Sequence, residues 1–113
     1  MREREAEQVA DAMFALSTAS RVHILGLLRQ APHTVGELTE AIGMEQSAVS
    51  HQLRVLREHR LVRARREGRK RVYELHDEHV ALLLDEAMRH VGELSAGGSR
   101  VKRRAARLRR GGR

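Results

Sequence analysis

Between residues 77 and 94 the chain repeats apolar side chains with the period of an α-helix, and this stretch restricts the fold more than any other. Val80, Leu83, Leu84, Ala87, Met88, Val91 and Leu94 stand at i, i+3, i+4, i+7, i+8, i+11 and i+14, which is one apolar stripe along a helix. His79 and His90 are eleven positions apart. At about 100° per residue, eleven steps return a side chain to within about 20° of its starting direction, so both imidazoles lie on one flank of the stripe. Glu93 is one turn beyond His90, on roughly that flank. Asp77 falls elsewhere on a continuous helix. Its expected place is the N-cap, where a carboxylate can turn back toward His79.

Eleven residues of helix span about 16 Å, whereas nitrogen and oxygen ligands sit about 2.0–2.2 Å from a zinc ion. The pairs Asp77/His79 and His90/Glu93 of one helix therefore cannot share an ion. Two copies packed antiparallel can, because the start of one helix then meets the end of the other. The result is two equivalent metal sites, each with two imidazoles and two carboxylates. The apolar stripe becomes the seam of a homodimer, as a two-fold interface requires a self-complementary surface. Glu86 lies between the histidines on the same flank and is the alternative to Glu93. His76 is expected at the surface, and His23, His33 and His59 receive no role.

Composition narrows the class. A chain of 113 residues makes one small domain. No apolar run approaches the roughly 18 residues of a membrane span, and Met1-Arg2-Glu3-Arg4-Glu5 leads into an amphipathic pattern rather than a signal segment. A cytoplasmic protein is expected. There is no cysteine, which removes disulfides, thiolate ligands and cysteine nucleophiles. The net charge of +7 is unevenly placed. Eight basic and no acidic residues follow Ser95, against 14 basic and 15 acidic before it. The basic character thus belongs mostly to a tail, residues 95–113, read as a disordered segment that is either a solubility tag or a nonspecific attractor of DNA. Residues 1–94 form the folded domain.

Earlier in the chain, Ala6, Val9, Ala10, Met13 and Phe14 have helical spacing over residues 5–16. A break with cap-capable hydroxyls follows, then a strongly apolar second helix over residues 21–29, ended by Pro32. Thr34 and Glu37 match a capping box ahead of a short third helix with Leu38, Ala41 and Ile42 inward. Gly43 is a natural C-terminal stop. Next comes a helix with Val49, Leu53 and Leu56 toward the core, and Ser47, Ser50, His51 and Arg54 outward or on the flank. Two short helices joined by a tight glycine turn make a helix-turn-helix, whose second helix enters the major groove. Residues 61–66 and 70–75 then alternate about Glu67-Gly68-Arg69, a β-hairpin with Arg65, Arg66, Arg69, Lys70 and Arg71 crowding its tip. A basic hairpin in this place is a wing that reaches phosphates or the minor groove. The fold expected is mainly α, a winged helix-turn-helix in the order α-α-α-α-β-β-α, dimerised through its first and last helices. No His-Glu-x-x-His, nucleophile elbow or phosphate-binding glycine loop is present, so an enzyme is not expected.

Two stretches resemble the ArsR/SmtB family of metal-responsive repressors. One is Gly43-Met44-Glu45-Gln46-Ser47-Ala48-Val49-Ser50-His51-Gln52-Leu53-Arg54-Val55-Leu56, similar to the family's recognition helix. The other is Asp77-x-His79-x10-His90-x2-Glu93, which resembles the zinc-sensing subgroup. The likeness spans roughly residues 7–94. It implies an apo homodimer on operator DNA whose affinity falls when metal binds between the C-terminal helices. It carries DNA contacts onto Gln46, Ser47, Ser50 and His51, and Gln52 and Arg54 complete that set with Arg66, Arg69, Lys70 and Arg71 of the wing. It also implies that His90, once metal-bound, donates through its distal nitrogen to the backbone carbonyl of Arg60. The family's cysteine cluster is absent, which argues against sensing of arsenic, cadmium or lead. The DNA-reading sequence also closely resembles that of actinobacterial nickel/cobalt sensors, which carry histidine where this chain has Glu93. Four nitrogen and oxygen donors suit tetrahedral zinc; six-coordinate nickel needs more. Zinc is the expected metal, with nickel or cobalt the alternative. A further alternative is a winged-helix regulator or architectural DNA-binding protein that does not respond to metal.

Overall fold

The computed structural model describes residues 1–97. Five helices and three short strands follow in the order α1 (Glu3–Ala15), α2 (Ala19–Gln30), β1 (His33–Thr34), α3 (Val35–Ile42), α4 (Gln46–Glu58), β2 (Val62–Glu67), β3 (Lys70–Leu75) and α5 (Glu78–Gly97). This is the expected winged helix-turn-helix with one addition. Past Pro32 the chain is extended, and His33 and Thr34 pair antiparallel with Tyr73 and Val72. The hairpin thereby becomes a three-stranded sheet in the order β1-β3-β2. Helical periodicity cannot reveal a two-residue strand.

Local chemistry sets the boundaries. The Thr18 hydroxyl accepts from the Arg21 N–H at 3.3 Å and caps α2. The capping box of α3 is complete: Thr34 N–H donates to Glu37 Oε1 at 2.8 Å, and Glu37 N–H to Thr34 Oγ1 at 3.2 Å. Those contacts hold the Glu37 carboxyl below the usual carboxylate range. Gly43 stops α3 with φ +79°, a left-handed conformation that glycine adopts without steric cost. The hairpin loop is Gly68-Arg69. Gly68 has φ +64° at the first loop position, where a II′-type turn places glycine. The loop is one residue shorter than the expected joint, so Glu67 lies opposite Lys70 within the ladder.

The core is built from α2, α3, α4 and β2. Ile24, Leu25, Leu38, Val49, Leu53, Leu56 and Val62 are fully buried, each burial worth about 1.5–3 kcal/mol. One inward assignment is corrected. Ala41 is exposed, whereas Leu38 is buried and Ile42 half-buried. The apolar residues of α1 are also outside: Val9, Met13 and Phe14 are 44, 53 and 69% exposed, and Ala15 is the buried residue of that helix.

The chain divides into two units, Met1–Ala81 and a second that begins at Leu82 within α5. Of the α5 stripe, Val80 and Leu84 are buried, while Leu83, Met88, Val91 and Leu94 are exposed. The helix runs to Gly97, so residues 95–97 continue it. The rest of the basic tail lies outside the described residues. Among the described residues no helix is long and apolar enough to cross a membrane.

Candidate metal half-sites and nucleic-acid interface

Asp77 stands at the N-cap of α5, where its Oδ1 accepts from the Val80 N–H at 3.3 Å. The same oxygen lies 3.6 Å from His79 Nδ1. The cap thus turns the carboxylate onto the imidazole two residues ahead, as the spacing predicts. His79 is 92% exposed, so its ring is open to a partner from outside. The other carboxylate oxygen is 3.2 Å from His76 Nδ1. This neighbour was missed in the sequence, where His76 carries no periodic signal. Its ring, together with the Val80 N–H and His79, holds Asp77 below the usual carboxylate range.

His90 and Glu93 are exposed in the second unit, one helical turn apart. Glu86, the alternative donor, is occupied by Arg89 at 2.7 Å. Among the described residues no three histidine, cysteine, aspartate or glutamate side chains come together to hold an ion. Each unit instead offers a pair of nitrogen and oxygen donors, Asp77/His79 in the first and His90/Glu93 in the second. The donor chemistry suits a divalent transition metal, provided that two pairs meet from different copies.

The candidate nucleic-acid surface begins on α4. Its buried positions Val49, Leu53 and Leu56 fix the rotation of the helix. That rotation leaves Ser47, Ser50, His51 and Arg54 exposed, with Gln46 ahead of them at the helix start. These side chains recur three or four positions apart and share one outward face. Gln52 differs from the others. It is half-buried, and its Oε1 accepts from Arg21 Nε at 2.7 Å. The Arg21 guanidinium also donates to the carbonyls of Phe14 and Ala15 at 3.3 and 3.4 Å. One side chain therefore fastens the end of α1 and α4 together, and leaves Gln52 committed within the protein. Hydrophobic patterning gives no sign of this link.

In the hairpin, Arg66, Arg69, Lys70 and Arg71 are all exposed. Arg71 stacks over the Tyr73 ring, with 5.3 Å from Cζ to the ring centroid. Arg65 is bonded to Glu74 and to Glu67, carboxylates that hold its guanidinium more firmly protonated than usual.

Arg60 occupies the turn that ends α4. Its N–H donates to the Arg57 carbonyl at 3.0 Å, and the Leu61 N–H to the Leu56 carbonyl at 2.9 Å. This is a Schellman motif with arginine at the position usually held by glycine, and Arg60 has φ +56°. The Leu61 carbonyl then accepts from the His76 N–H at 3.0 Å. The turn after α4 is thus bonded to the residue beside Asp77.

Comparison with known proteins identifies relatives of the whole fold. Residues 18–64 match the family model described as bacterial regulatory protein, arsR family. The chain is 59% identical over 92 residues to the HTH-type transcriptional regulator NmtR of Mycobacterium tuberculosis, covering 81% of this chain and 77% of that protein. It is 42% identical over 89 residues to a transcriptional repressor SmtB homolog of Synechocystis, covering 79% and 67%. The fold is similar to the solution structure of apo-NmtR, with a TM-score of 0.73, 55% identity and coverage of 88% and 84%. It is also similar to the homodimeric winged helix-turn-helix DNA-binding domain of Mb0332 from Mycobacterium bovis, with a TM-score of 0.75, 34% identity and coverage of 82% and 89%.

Proposed function

The chain belongs to the ArsR family of bacterial regulatory proteins, and from that premise we propose that it is a metal-released repressor working as a homodimer on operator DNA. As a member of this family it is a transcriptional regulator, not an enzyme. The observation that carries the finer reading is the α5 donor set: Asp77 turned onto His79 at the N-cap, with His90 and Glu93 exposed on the same helix. The stripe beside them supports dimerisation, since Met88, Val91 and Leu94 are 69, 60 and 47% exposed and a two-fold seam covers such a stripe. The homodimeric relative of similar fold supports it too.

Gln46, Ser47, Ser50, His51 and Arg54 read the major groove, while Arg66, Arg69, Lys70 and Arg71 of the hairpin contact phosphates. Asp77 and His79 of one α5 helix with His90 and Glu93 of another would hold the ion, and two imidazoles with two carboxylates are a donor set that suits zinc. On this reading His90 then donates through its distal nitrogen to the Arg60 carbonyl, at the end of the reading helix. The bonds from Asp77 through His76 to Leu61 tie the first donor pair to that same turn. Metal binding and DNA binding then oppose each other by one coupling free energy, equal in both directions.

Nickel or cobalt is the second reading. It is supported by His76, a further imidazole 3.2 Å from Asp77 that offers a donor beyond four. A cobalt(II) titration followed by visible absorption separates the two: intense d–d bands saturating at one ion per protomer indicate four-coordination, weak bands a higher number. The regulatory test is His90→Ala. Operator binding persists and release by metal disappears; release that survives this substitution rules out the proposed switch.

A further inference from the structure

We propose that the arginine-lined concavity between the end of α4 and the hairpin is a phosphodiester track, holding the backbone of the same duplex beyond the bases that α4 reads. The proposal rests on the DNA-binding reading and extends it. The concavity has a volume of about 550 Å³. Arg57 and Arg60 enter it from the end of α4, and Arg63, Arg65, Arg66 and Arg71 from the hairpin. Arg57 and Arg71 also line a neighbouring concavity of about 590 Å³ together with Ser50 and Arg54. Arg71 in turn borders a third with Lys70, at the start of α3. The shared residues join the three into one cationic run beside the reading face, with Glu58 and Glu37 the carboxylates along it.

Two observations separate this run from an ordinary solvated face. The first is the charge pairing. Glu74 takes up both Arg63 and Arg65, and Glu67 takes a second N–H of Arg65. The side chains of Arg57, Arg60 and Arg66 have no hydrogen bond or ion pair among the described residues. Unpaired guanidinium groups gathered in a concavity repel one another until an anion arrives. The second is the backbone of Arg60. Its φ of +56° is one that favours glycine, yet an arginine is held there at the edge of the concavity. A local rule broken in this way marks a position kept for its side chain. The cations are strung along a run rather than aimed at one point, and the run adjoins Ser50 and Arg54. An extended polyanion fits that arrangement better than a small one, and the duplex on α4 is the polyanion at hand.

The test uses the full chain, a duplex selected by it from a randomised pool, and a scrambled duplex of equal length. Binding is followed by fluorescence anisotropy between 50 and 300 mM salt. Each phosphate contact contributes about −0.9 to the slope of log affinity against log salt. Arg57→Gln with Arg60→Gly is expected to make the slope shallower by about 1.8, twice that increment, and to weaken both duplexes by the same factor. Arg57→Gln alone is a solvent-facing helical change that keeps the test readable if the double variant is unstable; it removes about half as much. Arg57→Lys with Arg60→Lys restores most of the slope. An unchanged slope overturns the track, and so does a loss confined to the selected duplex. Saturable calorimetric binding of inorganic phosphate, abolished in the double variant while the salt slope stays wild-type, assigns the concavity to a free anion and overturns it as well. Failure of the wild-type chain to select or bind any duplex instead defeats the DNA-binding reading, and the track falls with it.

Discussion

Arg60→Gly should make this protein more stable, although it removes a side chain and adds none. The left-handed conformation costs an L-residue with a Cβ about 1–2 kcal/mol, and Arg60 sits in it at φ +56°. Glycine removes that cost but loses more freedom on folding, a penalty of about 0.4–1 kcal/mol. The side chain is exposed and has no partner among the described residues, so nothing else is given up. The Schellman bonds from Arg60 N–H to Arg57 and from Leu61 N–H to Leu56 are backbone bonds and survive. The net gain is about 0.5–1 kcal/mol, which for a domain of this size raises the midpoint of thermal unfolding by about 2–8 °C. Circular dichroism at one fixed protein concentration measures it. Arg60→Ala is the control: it removes the same charge but keeps the Cβ, so it separates backbone strain from relief of repulsion in the arginine cluster. Alanine and glycine variants melting together would refute the strain argument. A glycine variant that melts below wild type would show that the guanidinium makes a stabilising contact.

Further expectations follow from the caps, the seam and the donor pairs. Thr34→Ala removes the hydroxyl that caps α3 and costs about 1 kcal/mol in chemical denaturation. Glu37 is held below its ordinary pKa by Thr34, so its contribution is full above the unfolded carboxylate value and is lost as pH falls through the folded one. Wild type and Glu37→Ala therefore differ at pH 7 and begin to converge as pH falls below the unfolded carboxylate value of about 4.3; a gap that stays full in strong acid refutes the assignment. Met88→Glu places a charge in the exposed α5 stripe and shifts the dimer to monomer in analytical ultracentrifugation, while the helical signal of the protomer is kept. Asp77→Asn preserves an N-cap acceptor for Val80 but removes the charged donor. It should lower metal affinity at least ten-fold with little change in melting temperature, read by competition with a chromogenic chelator.

Much of this fold was legible in the sequence because its signals are local and redundant. The α4 rotation follows from Val49, Leu53 and Leu56 alone, and the cap of α3 from Thr34 and Glu37. The Gly68 turn follows from one residue between two alternating runs. What was not legible depends on pairing across the chain. β1 exists only because β3 lies beside it. Ala41 and the α1 residues Val9, Met13 and Phe14 show that periodicity marks an apolar face without saying what covers it. The donor pair Asp77/His79 was legible because capping geometry and sequence spacing agree. His76 was not, because it joins Asp77 through an orientation at the end of β3 that no spacing rule encodes. Gln52 looked like another outward polar residue of α4. Its bond to Arg21, thirty-one positions earlier, is a tertiary fact.

That bond and the bareness of α1 together bear on how the protein responds to its own abundance. α1 buries one residue, Ala15, and its last carbonyls are held by Arg21. A helix of 13 residues is marginal in water without packing. In a lone protomer α1 is therefore the first element to melt, and hydrogen exchange along it should be fastest in dilute protein. In the dimer proposed above, its exposed Val9, Met13 and Phe14 gain a partner, and folding of α1 becomes tied to association by mass action. A cell that makes little of the protein holds chains with a formed reading helix but a frayed N-terminal arm. As copies accumulate, arm, seam and paired readers form together. On the function proposed above, DNA occupancy then rises more steeply than copy number, and synthesis rate becomes an input to the regulator alongside the proposed metal.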